Sequence, residues 1–229
     1  MRRLYYIILL LPLLCACAFQ RHKVLWRERP IPCLKRIVVI GFRPGSPTFK
    51  GSSYMRCPIS ENTFRGARVS DKVIAYMTEL LLRDLSKKDI FSITYPEEVK
   101  REFLDLYDSI DNANRKLLLE YLRQIGLAFN ADAVILGHIF RWEERIGSDF
   151  AASRPASVAF DIHLVGVEKG EVLWSDEFDK TQRALSENLL DIKTFIKGKG
   201  KWMTARKLAE MGITNMINRL IKSQKGCER

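Results

Sequence analysis

With three histidines and five cysteines in 229 residues, the chain has few of the side chains on which covalent or metal chemistry is usually built. No Gly-x-Ser-x-Gly frame occurs, so the exposed serine elbow of an α/β-hydrolase has no sequence support. No Cys-x-x-Cys and no close run of cysteine and histidine occurs, and without that spacing neither a zinc site nor any other metal or cofactor is assigned from sequence. The basic segment KGKGK at Lys197 to Lys201 lacks the GxxxxGK[ST] frame of a P-loop, although cationic side chains on a glycine backbone can still receive an anion. Long apolar runs are missing too. The longest, Leu4 to Leu14, is well short of the roughly 20 residues that a membrane-spanning helix needs.

That short run is the most informative stretch present. Arg2 and Arg3 precede it and Leu14-Cys15-Ala16-Cys17 closes it, the charged, apolar and small-residue order of a secretory signal. The last four residues resemble a bacterial lipobox, which makes Cys17 the lipid-bearing residue and new N-terminus. The expected organisation is a signal peptide over 1–16, a lipidated tether over 17–32, one globular domain over 33–222 and a polar tail over 223–229. The tether is basic and broken by prolines, suited to holding a body off a bilayer while staying close to anionic head groups.

The formal charge is +11. In a cytoplasmic protein such an excess would point to nucleic acid; for an exported chain the available polyanions are lipid head groups and envelope polymers, so no nucleic-acid partner is expected. Export also permits disulfides. With Cys17 acylated, Cys33 and Cys57 are the expected pair, a bond that would tie down the long Gly, Pro and Ser-rich loop between them.

Periodicity gives the body. Leu34 to Phe42, LKRIVVIGF, is a short β-branched run expected as a central strand. Helices are expected from Ser70-Asp71, from Pro96-Glu97-Glu98, from Asp111-Asn112 to Gly126, from Ser186 to Ile196, and after Thr204, each with an apolar stripe at helical spacing. Phe91 to Tyr95 is a short strand. Ala131 to Glu143, Ser157 to Val167 and Val172 to Phe178 form an antiparallel meander with one wet face, since Val158, Phe160, Ile162 and Leu164 alternate with Asp161 and His163. The fold class is therefore α/β (α+β): a mixed sheet with a C-terminal antiparallel meander and helices packed on it.

Few side chains stand out as chemical candidates. His138 reads as a satisfied structural histidine, and Asp161 with His163 as an ion pair on the wet side. Glu143, Glu144 and Asp149 could in principle supply a carboxylate pair for polysaccharide cleavage, but read more simply as a charged rim. The loops over 43–68 and 145–155 are the expected contact surface, with Phe49, Tyr54, Met55, Arg145, Asp149, Phe150 and Arg154 as candidate contact residues.

The stretches NADAVILGHIFRWEE at Asn130 to Glu144 and SVAFDIHLVGVEKGEVLWSDEFD at Ser157 to Asp179 resemble those of a group of bacterial envelope lipoproteins. The group includes the curli secretion lipoprotein, lipoprotein activators of penicillin-binding proteins and the amino-terminal domain of the Tol-system β-propeller protein. The resemblance implies a small α/β domain that works by protein contact and not by catalysis. The expected function is thus an outer-membrane-anchored, periplasm-facing accessory lipoprotein that binds another envelope protein, with an oligomeric secretion or assembly component as the alternative. The implied partners are the membrane, through the lipid (palmitate among its chains) on Cys17, another envelope protein, an anionic envelope polymer and further copies of the chain.

Overall fold

The computed structural model describes residues 31–47, 52–67, 69–95, 97, 99, 114–148, 152–182 and 202–224. Within them lie strands β1 (Arg36–Pro44), β2 (Ser46–Pro47), β3 (Tyr54–Arg56) and β4 (Thr63–Arg65), helix α1 (Asp71–Ser86), β5 (Ser92–Thr94) and helix α2 (Arg115–Ala128). They continue with β6 (Ala133–Glu143), β7 (Ile146–Gly147), β8 (Ala152–Arg154), β9 (Ser157–Gly166), β10 (Glu171–Thr181) and helix α3 (Ala205–Ser223). Apart from positions 97 and 99, the helix expected from Pro96 lies outside the described residues, as do the helix expected over 186–196, the loop residues Phe49, Asp149 and Phe150, and Cys17.

Five strands form the main sheet in the order β10-β9-β6-β1-β5. β1 runs parallel to β5 and β6, while β6, β9 and β10 are successively antiparallel. This is the mixed sheet with a C-terminal meander anticipated from periodicity. The run IVVIGF of β1 is buried on both faces, because α1 and α3 cover one side and α2 the other.

On the first side, Met77, Leu80, Leu81 and Leu85 of α1 and Leu208, Ile213, Met216 and Leu220 of α3 pack against Ile37, Val39, Ile135, Phe160 and Ile162. On the second, Leu118, Leu122 and Ile125 of α2 meet Val38, Val134, Leu136 and Val165. The antiparallel β2-β3-β4 sheet, absent from the sequence reading, shares that second face through Met55 and Phe64. Helix α2 begins at Asn114, whose side chain accepts from the Leu117 amide at 3.0 Å, and α3 at Thr204, which accepts from Lys207 at 3.2 Å. No described helix is long and apolar enough to cross a membrane.

Two irregularities set the register of β6 against its neighbours. β1 shifts against β6 between Val39 and Gly41, and Gly41 takes φ +88° with a virtual Cβ only 2.6 Å from Thr78 Cγ2. Thr78 Oγ1 in turn accepts the Phe42 amide at 2.9 Å, tying α1 to the bulge. A side chain at position 41 would be strained in the backbone and would collide with that tie. Gly41→Ala is therefore expected to cost about 2–4 kcal/mol, combining left-handed strain with overpacking. Urea unfolding followed by circular dichroism measures it, and a loss below about 1 kcal/mol would contradict the account. The second shift, between Ile139 and Arg141, matters for the site below.

The wet face expected for the meander is corrected. Every residue of β9 is buried, Asp161 at 1% and His163 at 0% exposure. Their side of the sheet is roofed by α2 and by the loop carrying β3 and β4. The expected Cys33–Cys57 disulfide is corrected as well. Cys57 is a free, buried thiol, so it is not the partner of the disulfide-bonded Cys33. Cys57 is turned into the protein by its position one residue after β3, alternating with the exposed Arg56.

Candidate metal centre

The roof over β9 is a short hairpin whose turn carries Cys57. Its backbone closes on itself through Cys57 N to Asn62 O at 2.9 Å and Glu61 N to Cys57 O at 3.0 Å, with Glu61 at φ 64°. Several contacts press it onto the sheet. Phe64 stacks on Phe140, centroids 4.1 Å apart and 10° from coplanar. Arg141, buried at 6% exposure, donates to the Arg65 carbonyl at 2.7 Å and to Ser157 Oγ at 2.6 Å, and pairs with Asp179. Arg115 of α2 donates to the Ile59 carbonyl at 2.6 Å. Asn62 reaches Glu177 on β10 at 2.9 Å.

Beneath the hairpin, antiparallel pairing sets His138 opposite Asp161 and Leu136 opposite His163, so side chains of both strands share one face. Cys57 Sγ descends between them, 3.2 Å from His163 Nε2 and 3.7 Å from His138 Nδ1. Asp161 Oδ1 lies 3.3 Å from His138 Nδ1 and accepts the His138 amide at 3.1 Å. Asp161 Oδ2 lies 3.0 Å from His163 Nε2 yet accepts no hydrogen bond there. One potential ligand atom from each of these four buried residues lies within 4.8 Å of the other three.

The neighbours of the cluster orient it. Ser175 Oγ on β10 lies 2.8 Å from His163 Nδ1, fixing that ring from its far side. The amides of Ile59 and Ser60 point at Cys57 Sγ from 3.3 and 3.2 Å. Burial and the Asp161 charge push the thiol up, but the two imidazoles outweigh them and bring Cys57 down to about 7. Burial opposes charge on His163, yet Asp161 and Cys57 raise it to about 9. Burial likewise opposes ionisation of Asp161, and His163 together with the hydrogen bond from His138 holds its carboxyl far below the usual carboxylate range. Near neutral pH the cluster thus favours an imidazolium at His163 facing the Asp161 carboxylate, with the Cys57 thiol at the midpoint of its ionisation.

A cysteine, a histidine and a carboxylate in contact could also describe a thiol nucleophile. Here Cys57 and His163 are both 0% exposed, and a substrate would have to displace the hairpin to reach them. The donor set of one thiolate, two imidazoles and one carboxylate is instead that of a borderline-soft divalent cation.

The other sequence candidates are dispersed. Glu144 accepts from Trp142 Nε1 at 3.2 Å and from the Ala205 amide at 3.0 Å, so its carboxylate neutralises the positive end of α3. Glu143 is exposed. Among the contact candidates, Tyr54 is 54% exposed and Arg154 is exposed. Met55 is a correction: it is buried at 8% exposure because it packs with Phe64 under the hairpin. Arg145 donates to the Trp202 carbonyl at 2.6 Å. The sequence reading missed the cluster as a unit. Its available signal was Ala159 and Val165, which share the face of Asp161 and His163 and are as apolar as the opposite side.

No protein-family model matches the chain, and a search of curated proteins finds no relative. Solved structures similar to it include a PelC dodecamer from Paraburkholderia phytofirmans, at 15% identity and TM-score 0.43, covering 84% of this chain and 93% of that one. They also include the lipoprotein GNA1162 from Neisseria meningitidis, at 14% identity and TM-score 0.42, covering 72% and 96%. A third is the LpoB C-terminal domain from Salmonella enterica, at 14% identity and TM-score 0.37, covering 66% and 86%.

Proposed function

We propose that this chain is an accessory lipoprotein of the bacterial envelope, held at the outer membrane by a lipid on Cys17, facing the periplasm and binding another envelope protein without catalysing a reaction. The observation that carries the reading is Leu14-Cys15-Ala16-Cys17 behind Arg2, Arg3 and an apolar run too short to span a bilayer. Ala18, in place of an aspartate that would retain a lipoprotein at the inner membrane, favours outer-membrane delivery by analogy with the group it resembles.

The folded body supports a contact role. Tyr54 and Ile146 stand at 54% and 50% exposure on the two loops expected to meet a partner. Confinement at a surface raises effective concentration, so a modest interface suffices. The deep burial of Cys57 and His163 argues against their use as a nucleophile and base.

The test is crosslinking in intact cells with the wild-type chain and a Cys17→Ser form, followed by mass spectrometry of the N-terminus and of captured proteins. A diacylglyceryl thioether at position 17 and a partner recovered by the wild type but lost from Cys17→Ser are expected. An unmodified thiol on a protein recovered from the cytosol would end this reading.

A further inference from the structure

We propose that Cys57, His138, Asp161 and His163 form a tetrahedral Zn2+ site that clamps the β3–β4 hairpin onto the main sheet. The distances carry the inference. Zinc bonds of about 2.0–2.1 Å to nitrogen or oxygen and 2.3 Å to sulfur place neighbouring donors of a tetrahedron about 3.3–3.8 Å apart. The cluster gives 3.7 Å from Cys57 Sγ to His138 Nδ1, 3.2 Å from Cys57 Sγ to His163 Nε2, and 3.3 Å from His138 Nδ1 to Asp161 Oδ1. These three pairs have nearly the spacing that a metal would impose; all four donors lie within 4.8 Å of one another, so the remaining pairs would draw together on binding, and no sequence proximity produces the cluster.

A second observation points the same way. Asp161 Oδ2 is buried and accepts no hydrogen bond, although His163 Nε2 is 3.0 Å away. A carboxylate oxygen in a dry interior normally finds a donor. Two groups that are close but misaligned are aimed past each other, as ligands of a shared cation are.

Charge balance is the third support. A thiolate, a carboxylate and two neutral imidazoles cancel Zn2+, which lowers the cost of burying two anions in a low-dielectric interior. On binding, the lone pairs of Sγ, the two ring nitrogens and the carboxylate form the four coordinate bonds, and any proton on Cys57 or His163 leaves to solvent. The outer partners are in place as well: Ser175 orients His163, the His138 amide orients Asp161, and the Ile59 and Ser60 amides orient the thiolate.

The site is independent of the lipoprotein reading, since it uses only the folded body. Its test uses the full chain in detergent, assayed first for bound zinc by elemental analysis, then stripped with a chelator and titrated with Co2+. One zinc or cobalt per chain is expected, with the visible bands of tetrahedral Co2+ and a near-ultraviolet thiolate-to-cobalt band, both bleached by Zn2+. Cys57→Ser should lose the near-ultraviolet band. Ser175→Ala, which removes a partly exposed positioning residue and no ligand, should keep the spectrum while weakening Co2+ binding about 10–100-fold. Amide exchange in residues 54–66 should slow when Zn2+ is added. Substoichiometric zinc, together with octahedral or absent Co2+ binding by the folded wild type, would overturn the proposal even if Cys57→Ser fails to fold.

Discussion

Asp161→Ala is expected to destabilise the fold by about 3–5 kcal/mol, the usual result of removing one member of a buried charged pair and leaving the other uncompensated. Asp161 is 1% exposed, accepts the His138 amide and faces His163 at 0% exposure, so its removal leaves only the Cys57 thiol, 3.2 Å from that ring, to face a buried imidazolium. The measurement is the urea midpoint of wild type and variant by circular dichroism, with chelator present in both so that metal occupancy is held constant. The pH dependence of the difference has a definite sign. The folded carboxyl titrates far below its ordinary value, so its stabilising contribution is complete above the ordinary carboxylate range and is lost as pH falls through and below it. The two proteins should differ most near neutral pH and converge in acid. A difference below about 1 kcal/mol at neutral pH, or one that grows on acidification, would refute the role given to this carboxylate.

Phe160→Ala is expected to cost a similar amount through packing alone. Its ring is 0% exposed, meets Phe42 edge-on at 5.8 Å and lies 5.2 Å from Phe178. Helix α3 passes so close that a Cβ on Gly212 would come within 2.8 Å of the Phe160 ring. Truncation would leave a cavity beneath a helix already in backbone contact, with little room to collapse into it. Core phenylalanine deletions cost about 3–5 kcal/mol, and each kcal/mol moves the midpoint of a domain this size by about 2–4 °C. Calorimetry should therefore show a drop of about 6–20 °C, with metal binding at the Cys57 cluster retained because Phe160 points to the opposite side of the sheet. A drop below about 3 °C would mean that α3 does not depend on this ring.

Much of this architecture could be read from residue patterns. The β-branched run of β1, the alternation of β9 and the helical stripes of α1, α2 and α3 each specify one element, although the alternation of β9 misplaced water on a face that is buried. What escaped were relations between elements. His138 read as structural and His163 as facing water, but strand faces are phased by pairing, and His138 sits opposite Asp161. The irregularity around Phe140 then changes the phase again within β6 itself. The polar character of Asp161 and His163 suggested water, whereas each is matched by another buried polar group. For Cys57, export and an unpaired cysteine count suggested a bond to Cys33, a rule about compartments that carries no information on direction. The three-residue strands of the hairpin are too short, and too rich in polar and turn-forming neighbours, to show a period at all.

The entry of the chain into the body has a mechanical consequence. Ile31 donates to the Ser223 carbonyl at 3.1 Å, the Leu34 amide meets Gln224 Oε1 at 3.3 Å, and Cys33 between them is covalently crosslinked. Force applied ahead of Ile31 would therefore load the last turn of α3 before it could peel β1 from its neighbours. Such a load would be borne at this seam before it reached the Cys57 cluster and the strands around it.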